Sequence, residues 1–307
     1  MRFVSAVFCF LTAMPLVAQV SYTPIGSGTL DPNNNGLLGL AIASDGTAYV
    51  STAGNQLLVD VNLTSGGFSS SKETACCIRD LSIDPTTGIL WGIGSGNNDN
   101  NLLWSIDPSD GSHTEIGSLG IFTPDPGDPG AGIGDIASIA FSPEGTLFYV
   151  QKNGAGWGTI DLGTGARTEL GIPKDTSDRA YGTISLGWVN GGLVGQDCCQ
   201  SGVAKDFFSL DPGTGVVTNL GPATGSQLMH DIAVYGGLVY GVIGGVSQGL
   251  DDAGTIGVLG INVVAAPEPA AAPEPAAPSV PVPLLPTHLL FVLSALLAFF
   301  GFSRASK

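Results

Sequence analysis

The 307-residue sequence predicts an all-β fold built from five repeated four-stranded sheets, and three observations carry that expectation. A strand–turn–strand phrase recurs, as Trp104–Gly117, Thr159–Gly171 and Ser209–Gly221, with a worn copy at Val59–Gly66. The copies alternate in polarity and turn on Asp, Pro and Gly, and the three full ones end in a Thr-x-Ile/Leu-Gly strand. A second hairpin lies upstream of each, at Leu40–Val50, Leu81–Ile93, Ile139–Val150 and Leu186–Val194, and a fifth such hairpin follows the last copy at Ile232–Tyr240. Third, 46 glycines and 12% charged residues suit many short strands joined by tight turns and exclude a coiled coil. Two hairpins in tandem make one blade with strands A to D, and five A–B hairpins make a five-bladed β-propeller.

The elements follow in chain order. Met1-Arg2, the apolar run Phe3–Val17 and Ala18-Gln19 read as a secretory signal peptide over residues 1–18. The propeller occupies 19–264. Its fifth blade runs through Thr255–Leu259 with no hairpin after it, and Tyr22–Gly26 matches the ending of the other D strands. An N-terminal strand completing the last blade would close the ring and cover its free edges. Residues 265–283 form a Pro/Ala-rich linker, extended because proline fixes its own φ and lacks a backbone donor. Residues 284–307 hold the apolar segment His288–Phe302, expected as a membrane helix, and then Arg304 and Lys307, which orient the propeller outside.

The tail, with Pro267-Glu268-Pro269, Pro273-Glu274-Pro275, Val280–Thr287, an apolar segment and a basic end, resembles the C-terminal sorting signals of exosortase-processed bacterial proteins, the PEP-CTERM class and its relatives. That resemblance implies an exosortase-type processing enzyme as partner and a propeller delivered to the surface or exterior of a Gram-negative bacterium. A plain C-terminal membrane anchor is the alternative. The repeats are similar to the degenerate propeller repeats of secreted bacterial proteins, a likeness that implies fold rather than activity.

Between residues 20 and 264 seven basic side chains face 24 acidic ones, a net charge near −17. Such a field repels nucleic acid and anionic membranes and favours cations. Export implies an oxidising compartment for Cys76, Cys77, Cys198 and Cys199. Both pairs fall in D–A or B–C connections, on one face of the ring but on blades two and four, which do not touch. Closure of each adjacent pair on itself is therefore expected, with a staple across the face as the alternative. His113, on a D strand, is expected to be outer and solvated. His230-Asp231 and Asp80 enter A strands near the channel top, where Gly39 and Ser138 hold the matching positions and Asp135 lies three residues ahead of its slot. Carboxylates there would suit Ca²⁺, with Asp80, Asp135 and Asp231 as metal candidates; otherwise they are solvated strand-entry residues. The Asn/Asp/Gly loops at 31–36, 96–101 and 125–130 read as turn chemistry.

No nucleophile elbow, His-Glu-x-x-His or phosphate-cradling Gly-Lys-Ser/Thr occurs. The expectation is an exported cell-surface or extracellular binding protein, its ligand face carrying Cys76, Cys77, Asp80, Cys198, Cys199, His230 and Asp231. The alternative is a Ca²⁺-dependent hydrolase or lyase with its site at the channel mouth.

Overall fold

A computed structural model of the chain describes residues 20–25, 36–52, 57–74, 77–95, 100–121, 123–125, 128–133, 136–152, 156–198, 205–222, 228–243 and 254–261. The signal peptide, the linker and the tail expected from the sequence lie outside them. After strand β1 (Ser21–Pro24), blade one comprises β2 (Leu37–Ile42), β3 (Ala48–Thr52), β4 (Leu57–Val61) and β5 (Phe68–Glu73). Blade two comprises β6 (Cys77–Ile83), β7 (Leu90–Ser95), β8 (Asn100–Ile106) and β9 (His113–Ile121). A separate hairpin, β10 (Thr123–Asp125) with β11 (Asp128–Ile133), falls where the sequence reading placed a loop. Blade three follows as β12 (Ile136–Phe141), β13 (Leu147–Gln151), β14 (Trp157–Ile160) and β15 (Arg167–Gly171). Blade four is β16 (Thr183–Val189), β17 (Gly192–Asp197), β18 (Asp206–Leu210) and β19 (Val217–Pro222). Blade five has β20 (Met229–Tyr235), β21 (Leu238–Ile243) and β22 (Thr255–Gly260).

Each blade is an antiparallel meander, and the molecule is a five-bladed β-propeller with the A strands β2, β6, β12, β16 and β20 innermost. Strand β1 pairs antiparallel with β22, Tyr22 opposite Leu259, so the fifth sheet also has four strands.

The recurring phrase has a local physical cause. At the C–D turns, Asp107 Oδ1 accepts from Ser109 N at 2.8 Å and Asp211 Oδ1 from Gly213 N at 2.7 Å. In the worn copy Asn62 Oδ1 does the same for Thr64 N at 2.9 Å, so amide replaces carboxylate without loss of the turn. The turn then passes through φ of 67–80° at Gly66, Gly111, Gly165 and Gly215, a region that side-chain-bearing residues rarely adopt.

Apolar alternation along the strands fills the gaps between blades. One cluster of buried residues occupies each of the five gaps, including Leu37, Val50 and Val59 of blade one against Tyr240, Val242 and Ile256 of blade five. His113 departs from expectation: it is half-buried, edge-on to Trp104 at 5.9 Å, because its strand returns over that indole.

Candidate functional site: the axial layers

All five A strands carry a β-bulge near their start, where the register with strand B shifts: between Leu37 and Leu40, Ile78 and Asp80, Ile136 and Ser138, Thr183 and Leu186, and Met229 and Asp231. A bulge re-aims the residues that follow it. Beyond it, strand alternation sorts the inner strands into layers around the axis. Gly39, Asp80, Ser138, Ser185 and Asp231 form the first layer. Leu40, Leu81, Ile139, Leu186 and Ile232 form a buried apolar layer next to it. The third layer is small (Ala41, Ser82, Ala140, Gly187, Ala233) and the fourth large and apolar (Ile42, Ile83, Phe141, Trp188, Val234).

The first layer is polar and sealed. Asp80, Ser138, Ser185 and Asp231 each have 0% exposure, which overturns the reading of Asp80 and Asp231 as solvated strand-entry residues. Asp80 Oδ2 accepts from Ile139 N of the next blade at 2.6 Å, and Asp231 Oδ2 accepts from Leu40 N of the next blade at 2.5 Å. Asp231 Oδ1 takes its own following amide, Ile232 N, at 2.7 Å. Asp80 and Asp231 stand on the two blades flanking blade one, whose member of the layer is Gly39. With no side chain between them, the two carboxylates come within hydrogen-bonding reach of each other. Gly39 itself is pressed against blade two: a Cβ there would sit 2.7 Å from Leu81 N. Burial pushes the proton affinity of both carboxyls above the ordinary range, and at Asp231 the negative charge of Asp80 adds to it.

At the opposite end, layers two to four open into a cavity of about 530 Å³ on the axis, capped by the A–B turns. Its wall combines Ile42, Ile83, Phe141, Trp188 and Val234, and Asp45, Asp84 and Tyr235 lie toward its rim. Val234 is 40% exposed, a large apolar side chain in contact with water. Phe148 stacks on Trp188 at 5.7 Å and fixes one side of the wall. Asp84 is committed to its own turn, accepting from the hydroxyls of Thr86 and Thr87 at 2.7 Å.

The face proposed from the sequence is assembled only in part. Asp80 and Asp231 meet, but inside the ring rather than at its mouth. His230 is half-buried within the bulge ahead of Asp231. Cys77 begins β6 opposite Ser95. Cys198 is buried and disulfide-bonded, its amide donating to Gly182 O at 3.0 Å. Cys76, Cys199 and Asp135 lie outside the described residues.

Beside Cys198 the structure reveals a group the sequence reading missed. Asp197, its side chain 1% exposed, pairs with Arg179 at 2.6 Å, and Arg179 lies over the Tyr181 ring at 4.5 Å. Burial raises the Asp197 carboxyl above its usual range, against the pull of Gly182 N and Arg179. Arg179 arrives from the D–A connection and Asp197 from the end of strand B, so no local spacing announces the pair. Ser185 was also missed, although Ser185-Leu186-Gly187-Trp188 aligns with Ser138-Ile139-Ala140-Phe141.

No family model matches the chain and no curated protein matches it. Among solved structures it is similar to the glutaminyl cyclase of Myxococcus xanthus (16% identity, TM-score 0.52, covering 80% of this chain and 98% of that one). It is also similar to the PQQ-bound aldose sugar dehydrogenase of Streptomyces coelicolor (11% identity, TM-score 0.46, 79% and 98%). A third is virginiamycin B lyase of Staphylococcus aureus (14% identity, TM-score 0.44, 78% and 99%). At these identities the likeness is one of fold.

Proposed function

We propose that this chain is an exported, surface-delivered propeller that binds a ligand and performs no chemistry of its own. The axial cavity carries the reading: about 530 Å³ of mostly apolar space, with walls from five different strands and a rim of turns. That volume is in the range of small-molecule sites, and a rigid scaffold presenting turns around it is how propellers are suited to recognition. Delivery rests on the terminal segments: a signal peptide at 1–18, a strand at the N-terminus that clasps the last blade, a Pro/Ala linker as stalk, and a sorting signal or anchor at 284–307. A carboxylate pair sealed from solvent is poorly placed to act on a substrate, which argues against the hydrolase or lyase alternative at the channel mouth.

The test is a plug. Ala233 lies in the small layer and is partly accessible, so Ala233→Phe should fill the funnel. Surface polysaccharide, lipid and peptide fractions of a Gram-negative host are screened against the parent by Trp fluorescence, with Trp188 in the cavity wall as reporter. A ligand bound by the parent and lost in Ala233→Phe, with unfolding temperature retained, supports the reading. A ligand bound equally by both proteins places recognition elsewhere.

A further inference from the structure

The first axial layer holds two carboxylates whose charge no basic side chain among the described residues meets. Removing such groups from water is costly unless they are neutralised in place. Within the layer, Asp80 Oδ1 and Ser138 Oγ are buried and neither closes a hydrogen bond of good geometry, although Ser138 and Asp231 both stand within reach of the Asp80 carboxyl. Buried oxygens that converge on one point without closing well-formed bonds mark room for a shared partner.

We propose that a Ca²⁺ ion sits on the propeller axis in this layer, held by Asp80, Asp231 and Ser138. The donor chemistry selects the ion. Carboxylate and hydroxyl oxygens, with no thiolate or imidazole in the layer, suit a hard cation rather than zinc or copper. Two carboxylates balance a double positive charge, and water or main-chain carbonyls complete the six to eight oxygens Ca²⁺ prefers. The ion's role follows from its neighbours. Asp80 and Asp231 already bind main-chain amides of blades three and one, so a cation between them ties four of the five blades together. Gly39 is required because any side chain in blade one's slot would run into Leu81 N and the Asp80 backbone. The site is structural, and it stands independently of what the cavity binds.

The experiment uses the full chain, its metal content measured after purification and again after EDTA and dialysis, followed by thermal unfolding in EDTA, Ca²⁺, Mg²⁺ and Na⁺. One equivalent of Ca²⁺ should co-purify, and returning Ca²⁺ at a hundredfold excess over Kd should raise the unfolding temperature by roughly 5–10 °C. Ser138→Ala, which removes one neutral ligand, should fold and bind Ca²⁺ at least tenfold more weakly. Asp231→Asn should lose the equivalent. The proposal is overturned if neither EDTA nor Ca²⁺ moves the transition. In that case Asp231→Asn should leave stability intact or raise it, since an amide N–H would stand in for a proton shared by the two acids. It is equally overturned if Ca²⁺ binds with unchanged stoichiometry and affinity in both variants, because the ion would then sit in a loop.

Discussion

Deleting residues 20–25 tests whether β1 is a clasp. Val20 is 2% exposed, sits in the cluster between blades four and five, and donates to Pro222 O at 3.2 Å. Burial of that side chain contributes about 2 kcal/mol, and the half-buried Tyr22 and Ile25 about 1 kcal/mol each. Loss of about 4 kcal/mol lowers the unfolding temperature of a domain this size by about 10 °C, and the bared edge of β22 invites aggregation. Calorimetry and light scattering on the parent and the deletion read both effects. Gly257→Ala provides a point version, since a Cβ there meets the Tyr22 ring at 2.5 Å and Thr23 O at 2.6 Å. Ser21→Ala and Thr23→Ala, at exposed positions, should change stability by less than about 0.5 kcal/mol. Titration adds an independent reading. Burial pushes the Tyr22 hydroxyl up to about 12, against the opposing hydrogen bond with Thr255. The folded chain then holds this proton more tightly than the unfolded chain, so stability falls as pH rises from about 10 toward about 12. Tyr22→Phe should remove its share of that fall. A deletion that melts as late and as sharply as the parent, without aggregation, would refute the clasp.

Arg179→Met strands the Asp197 carboxylate; with Arg179 32% exposed, solvent screens part of the loss, and about 2–3 kcal/mol of destabilisation is expected, most of it recovered in the Arg179→Met/Asp197→Asn double variant by denaturant unfolding. An unchanged midpoint in Arg179→Met would show the pair to be inert. Mass spectrometry of protein released by its native host should find a C-terminus near Pro283–Thr287; recovery only of chain ending at Lys307 in membranes would establish a simple anchor. Non-reducing peptide mapping should find Cys76 joined to Cys77 and Cys198 to Cys199. Because such bridges close almost no loop, replacing one pair by Ser should leave the unfolding temperature nearly unchanged. Linked peptides around residues 76 and 198 would instead show a staple across the face.

The architecture was legible from residue order because its causes are local. Asp107, Asp161 and Asp211 each open a turn with their own carboxylate, and strand alternation repeats between those turns whatever the blades touch. The hairpin β10–β11 escaped because its Pro/Gly-rich sequence carries no alternation to distinguish it from a loop. Asp80, Ser138, Gly39 and Asp231 could be aligned as equivalent strand entries, yet their environment was misjudged. A strand start next to a connection looks solvated in sequence; the bulge between strands A and B turns each residue inward, and only the ring supplies the neighbouring blades that exclude water. The meeting of Asp80 with Asp231 is a further step removed. They lie on blades two and five, and they touch because those blades flank blade one and Gly39 leaves its place empty. The pairing of Arg179 with Asp197 likewise joins a connection to a strand end in a way no periodicity records. Sequence by itself determined the repeated unit, its turns and its count, since each is encoded within a few residues. The sealed carboxylate layer and the apolar funnel were decided by tertiary structure, because both exist only where five strands from separate repeats converge on one axis.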